Sequence, residues 1–568
     1  MRNKKLKSDG FFVYVFFSFC LILFALVSLK LYEIQVIKAQ EIENYFNNSI
    51  KLIPPLRGNI YIKDKDNNLI PIALSYYTYD VYFFPPKSKN REEELKKISQ
   101  IIQIDLEKIK EKIKENPQVS LILKKNANEE EKEKLKKLNF DSIFFEEKVI
   151  RKYPLNNLLS TILGYAIYDE KEKITKGIYG LEKYYDEYLR GESGFLTKYG
   201  EYKPPIKGAD LILNIDYYLQ LKTQSILDEA LKKYKAEGGL IVVVNAKNGK
   251  VLAIAESPNY DLNNYRSIKD YSLFISRISS VYEPGSVMKP FFYTGAFEEN
   301  LVTPSSTYYD QGFVTLNNKT IYNFDKKGRG EVDLKTALEQ SLNTGSVYIS
   351  QILGKNRFIK YLNKFRFNQN PEIDFPLIHL NNLKTLFPPF GRDINFATAS
   401  FGQGISISPI SLLQAYQVFA NKGTITNFLI VEKIIYPNNK IFVNKEKIIS
   451  QNVISYKTIS TINEILEGVV ENQAKKAKIK GFGIGGKTGS AQILVDNEYS
   501  EDVITSFIGF FPLSDPKFLI LVRLDKPEKG LLAFGTATPT FRKVVEFMIN
   551  YYNIEPDKSL DLLNSQNF

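Results

Sequence analysis

Residues 282–297 read YEPGSVMKPFFYTGAF. Pro284-Gly285 makes a turn, the apolar run behind it starts a helix, and Ser286 and Lys289 stand three apart where that helix begins. Spacing of three places the lysine amine beside the serine hydroxyl on one helical face. A serine hydroxyl is a weak nucleophile until a base takes its proton. The chain has one histidine, His379, in the stretch PLIHLNN, where it reads as a structural or surface residue. A neutral lysine is then the available base, and its pKa must come down from about 10.4 through burial and a neighbouring cation. Taken alone the pair is ambiguous, because the chain is rich in lysine. Ser286 could be an ordinary helix N-cap, and Ser514 and Lys517 repeat the S-x-x-K string in a turn crossed by Pro516.

Two later elements add to it. The segment EQSLNTGSV carries Ser341 and Asn343, a hydroxyl and an amide two residues apart. S-x-N recurs at Ser88, Ser257, Ser450 and Ser565, so it means little by itself. Lys487-Thr488-Gly489-Ser490 occurs once, on an expected strand behind Gly485-Gly486. A strand edge with a cation, hydroxyls and a bare glycine can take an extended peptide alongside it and hold its carboxylate. The bland alternative is a glycine-rich turn with a surface lysine. Order and spacing decide between them: S-x-N lies 55 residues after Ser286, and K-T-G a further 146 on.

Around these motifs the chain reads as an α+β unit. GGLIVVVNAKNGKVLAIAES is two β-branched runs about Asn248-Gly249, a hairpin signal. FGIGGKTGSAQIL, DVITSFIGFFP and PKFLILVRLD read as three strands, the last two antiparallel across a short turn. Helical segments fill the middle, so the sheet must join the two ends of the unit. Upstream, residues 88–150 read as charged amphipathic helices whose Glu and Lys cover solvated faces. GIYGLEKYYDEYLRGESG reads as a helix ending near Gly191.

Residues 11–29, FFVYVFFSFCLILFALVSL, are uncharged and apolar. A helix of that length spans roughly 28 Å, about a bilayer core. Arg2, Lys4, Lys5 and Lys7 precede it, which places that end in the cytoplasm. The run continues into LKLYEIQVIKAQ without a small-residue cleavage site, so it reads as a retained anchor. The single cysteine, Cys20, leaves no disulfide within the chain and no cysteine-rich zinc site. The formal charge of +12 is scattered along the 568 residues, unlike a nucleic-acid-binding stripe. An anionic cell envelope is partner enough for it.

The three motifs match the set known from penicillin-binding proteins and class A β-lactamases, where the middle member is S-D-N. Over nearly the whole chain the sequence resembles class B penicillin-binding proteins. PPLRGNIYIKD, the R-x-Y-P of Arg151 to Pro154, the G-x-x-G-L-E of Gly177 to Glu182, GADLILNID and FGQGISISPISLLQAYQVFANKG all carry the likeness. Departures are Asn214 for a usual threonine, Leu342 inside S-x-N, Ser490 after K-T-G, and NAKNG for D-P-K-T-G. The resemblance implies a cytoplasmic tail at 1–10, a transmembrane anchor at 11–30, a mixed α/β pedestal at 40–205 and a transpeptidase domain at 206–556 with a mostly antiparallel central sheet flanked by helices. It implies that Ser286 attacks the penultimate D-Ala of a stem pentapeptide and that Lys289 is the base. Ser341 relays a proton, Asn343 holds the substrate amide and Lys289, and Lys487, Thr488, Gly489 and Ser490 bind the substrate carboxylate and line the site. Backbone N–H groups of Ser286 and Ser490 form its oxyanion hole. An amine of a second stem peptide then takes the acyl group, β-lactams trap it, and no metal or organic cofactor is implied.

A serine β-lactamase or carboxypeptidase is the nearest rival. Between Ser341 and Lys487 no glutamate has an asparagine four positions on, so the water-activating E-x-x-x-N element is missing. A β-lactam sensor would need an effector on the cytoplasmic side, where nine residues precede Gly10, and an inactive scaffold would be expected to lose Ser286 or Lys289. Glu283, Asn343 and the threonine of K-T-G resemble the division type more than the elongation type. Division implies a polytopic glycosyltransferase partner and an extracytoplasmic catalytic domain on a single-pass inner-membrane anchor.

Overall fold

A computed structural model describes residues 2–38, 50–377, 379–495 and 498–558. Residues 39–49, where the expected pedestal begins, and the Ser565 string lie outside them. Arg2–Tyr32 is one α-helix, extended by a π-turn over Glu33–Ile37. The helix begins at Arg2, ahead of the apolar run, and continues through Ser8-Asp9-Gly10, with no proline to break it. Val15–Ile37, with mean hydropathy 2.3, is the one described span long and apolar enough to cross a membrane.

A seven-stranded sheet joins the upstream unit to three strands from after residue 206, in the order Ile441–Val443, Val431–Ile435, Asp210–Asp216, Ile60–Lys63, Leu69–Phe83, Leu121–Ala127, with Ile143–Lys152 also paired to Leu69–Phe83. The expected helices appear at Arg91–Ile102 and Leu106–Glu115, with a third at Glu129–Lys136. Two strands within 88–150 went unpredicted. Their sequences, LILKKNA and IFFEEKVIRK, bury only Leu123, Ala127 and Val149 and carry charged residues on both faces, so they resemble the helical charge runs around them. The helix expected to end near Gly191 is two short ones, Gly180–Tyr184 and Asp186–Leu189.

Three of the quoted motifs meet in this unit. Arg57 of PPLRGN donates from Nε to Glu182 Oε2 at 2.6 Å and from Nη1 to Asp186 Oδ1 at 2.7 Å. Arg151 Nε and Tyr153 Oη, from R-x-Y-P, donate to Glu182 Oε1 at 2.7 and 3.1 Å. Arg57 and Glu182 are fully buried. Burial alone would discourage the charges, and the two guanidiniums hold Glu182 ionised, its pKa below the ordinary value.

The sheet at the heart of the downstream unit has five strands: β1 (Gly238–Asn245), β2 (Val251–Ser257), β3 (Gly485–Val495), β4 (Glu498–Phe511) and β5 (Phe518–Asp525). Their order is β2-β1-β5-β4-β3, and every pairing is antiparallel. β1 lies against β5 from Gly238↔Asp525 to Asn245↔Phe518, so the early hairpin and the late strands share one sheet, as the sequence predicts. Side chains alternate between two cores. Ile241 and Val243 join a layer with Leu219, Ile226, Phe541 and Val544, from helices α1 (Tyr217–Tyr234) and, at the C-terminal end, Ala537–Tyr552. Leu240, Val242 and Val244 face the other layer with Phe291, Phe292 and Ile349. Those residues belong to α2 (Lys289–Glu298) and α3 (Asn343–Lys364, kinked at Gly354). Covered on both faces, β1 is buried at every position but its last. β3 is the outer strand, and its open edge faces the turn ahead of α2.

Candidate active site

Ser286 sits on a 3-10 turn, Gly285–Met288, and Lys289 opens α2 with Pro290 behind it. In a 3-10 turn residues three apart eclipse one another, and Lys289, which ends the turn, donates its backbone N–H to Ser286 O, a tighter register than the α-helix expected. Val287 and Met288 are buried in the core and pin the turn, and Tyr416 Oη donates to Val287 O at 2.7 Å. Ser286 stays partly exposed. Gly285 takes φ +66°, and its N–H reaches Gly402 O at 3.1 Å in the FGQG loop. At Gly489 a Cβ would lie 2.9 Å from Pro284 O, so a bare glycine lets β3 approach the turn.

Ser341 and Asn343 reach the same place from the turn before α3. Leu342 between them is buried with Val332 and Ala337 and leaves its two neighbours facing the cleft. Ser341 adopts φ +59°, the left-handed region that a serine seldom occupies. It is the residue that closes the short helix Leu334–Glu339: Ser341 N–H reaches Leu338 O at 3.2 Å and Leu342 N–H reaches Ala337 O at 2.9 Å, a helix ending that glycine more often supplies.

The three motifs converge on Ser341. Lys289 Nζ donates to Ser341 O at 2.6 Å, Ser341 Oγ at 3.3 Å and Asn343 Oδ1 at 2.9 Å. Lys487 Nζ donates to the same Ser341 Oγ at 2.9 Å and to Thr488 O at 3.3 Å. Both lysines are fully buried. Burial drives the Lys289 amine well below its ordinary pKa, and the charge of Lys487 pushes it further. Burial alone brings Lys487 down to about 7. Desolvation therefore leads for both, where the sequence reading gave the neighbouring cation equal weight.

Thr488 is buried beside Lys487, and Ser490 is partly exposed, its Oγ accepting Ala533 N–H at 3.1 Å. Glu283 was singled out only as a subtype marker. Its carboxylate takes Gly404 N–H at 2.9 Å and Tyr499 Oη at 3.1 Å, tying the serine turn to the FGQG loop and to β4. Burial raises its pKa. Asp310, Asn323 and Thr344 form a buried polar cluster behind Asn343 that the sequence did not disclose, since Asp and Asn abound in it. The competing Ser514 and Lys517 lie exposed in the β4–β5 turn, and His379 is exposed in a loop. Among the described residues no cluster of three or more Cys, His, Asp or Glu side chains could hold a metal.

A serine and two buried lysines at the edge of an antiparallel sheet, backed by helices, define a serine acyltransferase of the penicillin-recognising kind. Residues 239–546 match the penicillin-binding protein transpeptidase domain, and residues 52–200 the penicillin-binding protein dimerisation domain. The chain is 30% identical to stage V sporulation protein D of Bacillus subtilis, over 95% of this chain and 86% of that one. It is 27% identical to the peptidoglycan D,D-transpeptidase FtsI of Escherichia coli, over 81% and 78% of the two chains. The solved structure of penicillin-binding protein 2X from Streptococcus thermophilus superposes with a TM-score of 0.75 at 19% identity, covering 90% of this chain and 82% of that one. The chain belongs to the penicillin-binding protein transpeptidase family. It is a peptidoglycan D,D-transpeptidase, a serine acyltransferase that cross-links cell-wall peptides and binds β-lactams.

Proposed function

We propose that Ser286 is the acylated nucleophile and Lys289 the base that takes its proton. The supporting observation is the pair of buried amines that meet at one serine oxygen, Ser341 Oγ. Burial and the charge of Lys487 push the Lys289 amine well down, so it can give up its proton. It can then accept the Ser286 proton as Ser286 Oγ bonds to the penultimate D-Ala carbonyl carbon. Ser341 bridges Lys289 and Lys487, so it can carry a proton to the departing D-Ala amine. Asn343 spends its Oδ1 on Lys289 and one Nδ2 hydrogen on Tyr322 O, leaving the other hydrogen for the substrate amide. Lys487, Thr488 and Ser490 face the peptide that lies along β3 and attract its carboxylate, with Gly489 leaving it room. Backbone N–H groups of Ser286 and Ser490 receive the oxyanion; one such donor is worth about 10² to 10³ in rate. An amine of a second stem peptide then attacks the ester, and Ser286 leaves with its proton.

The cellular role that fits best is septum formation, with the Val15–Ile37 helix in the membrane and the catalytic unit outside the cytoplasm. The partner that fits is a polytopic glycosyltransferase, met through that helix and the upstream unit. Depletion should give long unseptated cells of normal diameter, and a fluorescent fusion should gather at midcell. Rounded cells with dispersed fluorescence would assign it to elongation instead.

A further inference from the structure

The helix α3 carries Asn343 at its first position, yet its own N-cap, Leu342, has no polar side chain to offer. The first backbone N–H groups of a helix need an acceptor from elsewhere. Thr344 N–H finds one in Asn323 Oδ1 at 3.1 Å, from a segment twenty residues upstream. The neighbouring peptide does the rest: Tyr322 O accepts from Asn343 Nδ2 at 2.9 Å. Two consecutive residues thus hold both the helix end and the side-chain amide that touches Lys289.

Asn323 could face the wrong way, because its amide can present either oxygen or nitrogen. Asp310 removes the choice. Its carboxylate only accepts, and it takes Asn323 Nδ2 with both oxygens at 3.0 Å, which turns Oδ1 toward Thr344. Asp310 also accepts Gly312 N–H at 2.9 Å, Arg329 N–H at 3.1 Å and Thr344 Oγ1–H at 2.9 Å. Thr344 Oγ1 has one hydrogen, so Tyr308 Oη, 3.0 Å away, donates to it in turn. Asp310, Asn323 and Thr344 are each at most 2% exposed. A buried carboxylate is costly unless its lone pairs are satisfied, and here backbone and side-chain donors satisfy it.

We propose that Asp310 and Asn323 are positioning residues for the acylation step, setting the Asn343 amide against the Lys289 amine. This rests on the role given above to Lys289. The test follows acylation of the full-length protein in detergent by fluorescent penicillin across pH. Asn323→Asp sets two carboxylates face to face, and Asp310→Asn keeps the shape while removing one acceptor. Displacement of a catalytic group by about 1 Å can cost about 10²-fold, and Asn323→Asp should lose rate on that order, Asp310→Asn less.

A packing defect would lower the rate evenly. Loss of positioning should also move the acid limb of the profile to lower pH. Asn343 Oδ1 favours the charged Lys289, so withdrawing it lets the amine deprotonate sooner. Lys487, the charged neighbour that acts on Lys289, is untouched in both variants, and the charge changes alone would move the limb in opposite directions, up for the added carboxylate of Asn323→Asp and down for Asp310→Asn, whereas loss of positioning moves it down in both. If Asn323→Asp does not unfold cooperatively, Asn323→Ala, which removes the cap and changes no charge, decides in its place. An acid limb that stays in place in the folded variants, whatever the rate, overturns the proposal. Mapping the label in the same samples separates the two readings, since a label away from Ser286 overturns the role of the catalytic pair instead.

Discussion

Replacing Lys487 by methionine keeps most of its bulk and removes its charge. Both amines touch Ser341 Oγ, at 3.3 and 2.9 Å, so they are no more than about 6 Å apart, where two unit charges interact by about 3 kcal/mol at an effective dielectric constant of about 20. That is worth about 2 pH units to the weaker partner. The sign follows from like charges: without Lys487, Lys289 holds its proton to higher pH. Burial and the Lys487 charge together push Lys289 well below its ordinary value, and Lys487, brought down to about 7 by burial, carries that charge below about pH 7. In Lys487→Met the acid limb of penicillin acylation should therefore move up by as much as about 2 pH units, slowing the reaction up to about 10²-fold on that limb. The alkaline limb near 7 that comes from discharging Lys487 should vanish. Stopped-flow acylation of the full-length protein between pH 4 and 10 reads both limbs. An acid limb that stays in place, with a rate reduced equally at every pH, would refute the electrostatic role and leave only carboxylate binding.

The penicilloyl adduct should persist for many minutes, because no water-activating glutamate follows the E-x-x-x-N pattern and a transferase gains by excluding water; rapid penicillin turnover would restore the hydrolase reading. In the upstream unit, Glu182→Ala leaves Arg57 and Arg151 buried without their shared carboxylate. Breaking a buried pair this way costs about 3 to 5 kcal/mol, seen as a lowered thermal midpoint of that unit, and an unchanged midpoint would show the cluster to be dispensable.

The chemistry was legible because each motif is short. Ser286 and Lys289, Ser341 and Asn343, and Lys487 to Ser490 each keep their spacing within one local element. Five S-x-N strings made the middle motif the weakest, and order along the chain rescued it. The sheet was legible too, since β1, β4 and β5 alternate between two apolar cores. What stayed hidden depends on contacts far apart in sequence. Ser341 joins the two lysines only after folding, although its positive φ is local, the residue that closes the helix Leu334–Glu339 with Ser341 N–H on Leu338 O and Leu342 N–H on Ala337 O. Asn323 caps a helix that begins twenty residues later, and one asparagine among many gives no sign of that. Leu121–Ala127 and Ile143–Lys152 escape a sequence reading because charged residues fall on both of their faces and leave no period of two.

The central claim is that one serine, Ser286, becomes acylated with Lys289 as its base. Full-length protein exposed to penicillin should gain one penicilloyl mass, and peptide mapping should place it on Ser286. Ser286→Ala should gain none, while Ser514→Ala should label as the parent does. A mass gain that survives in Ser286→Ala, or that maps to any other residue, would contradict the account.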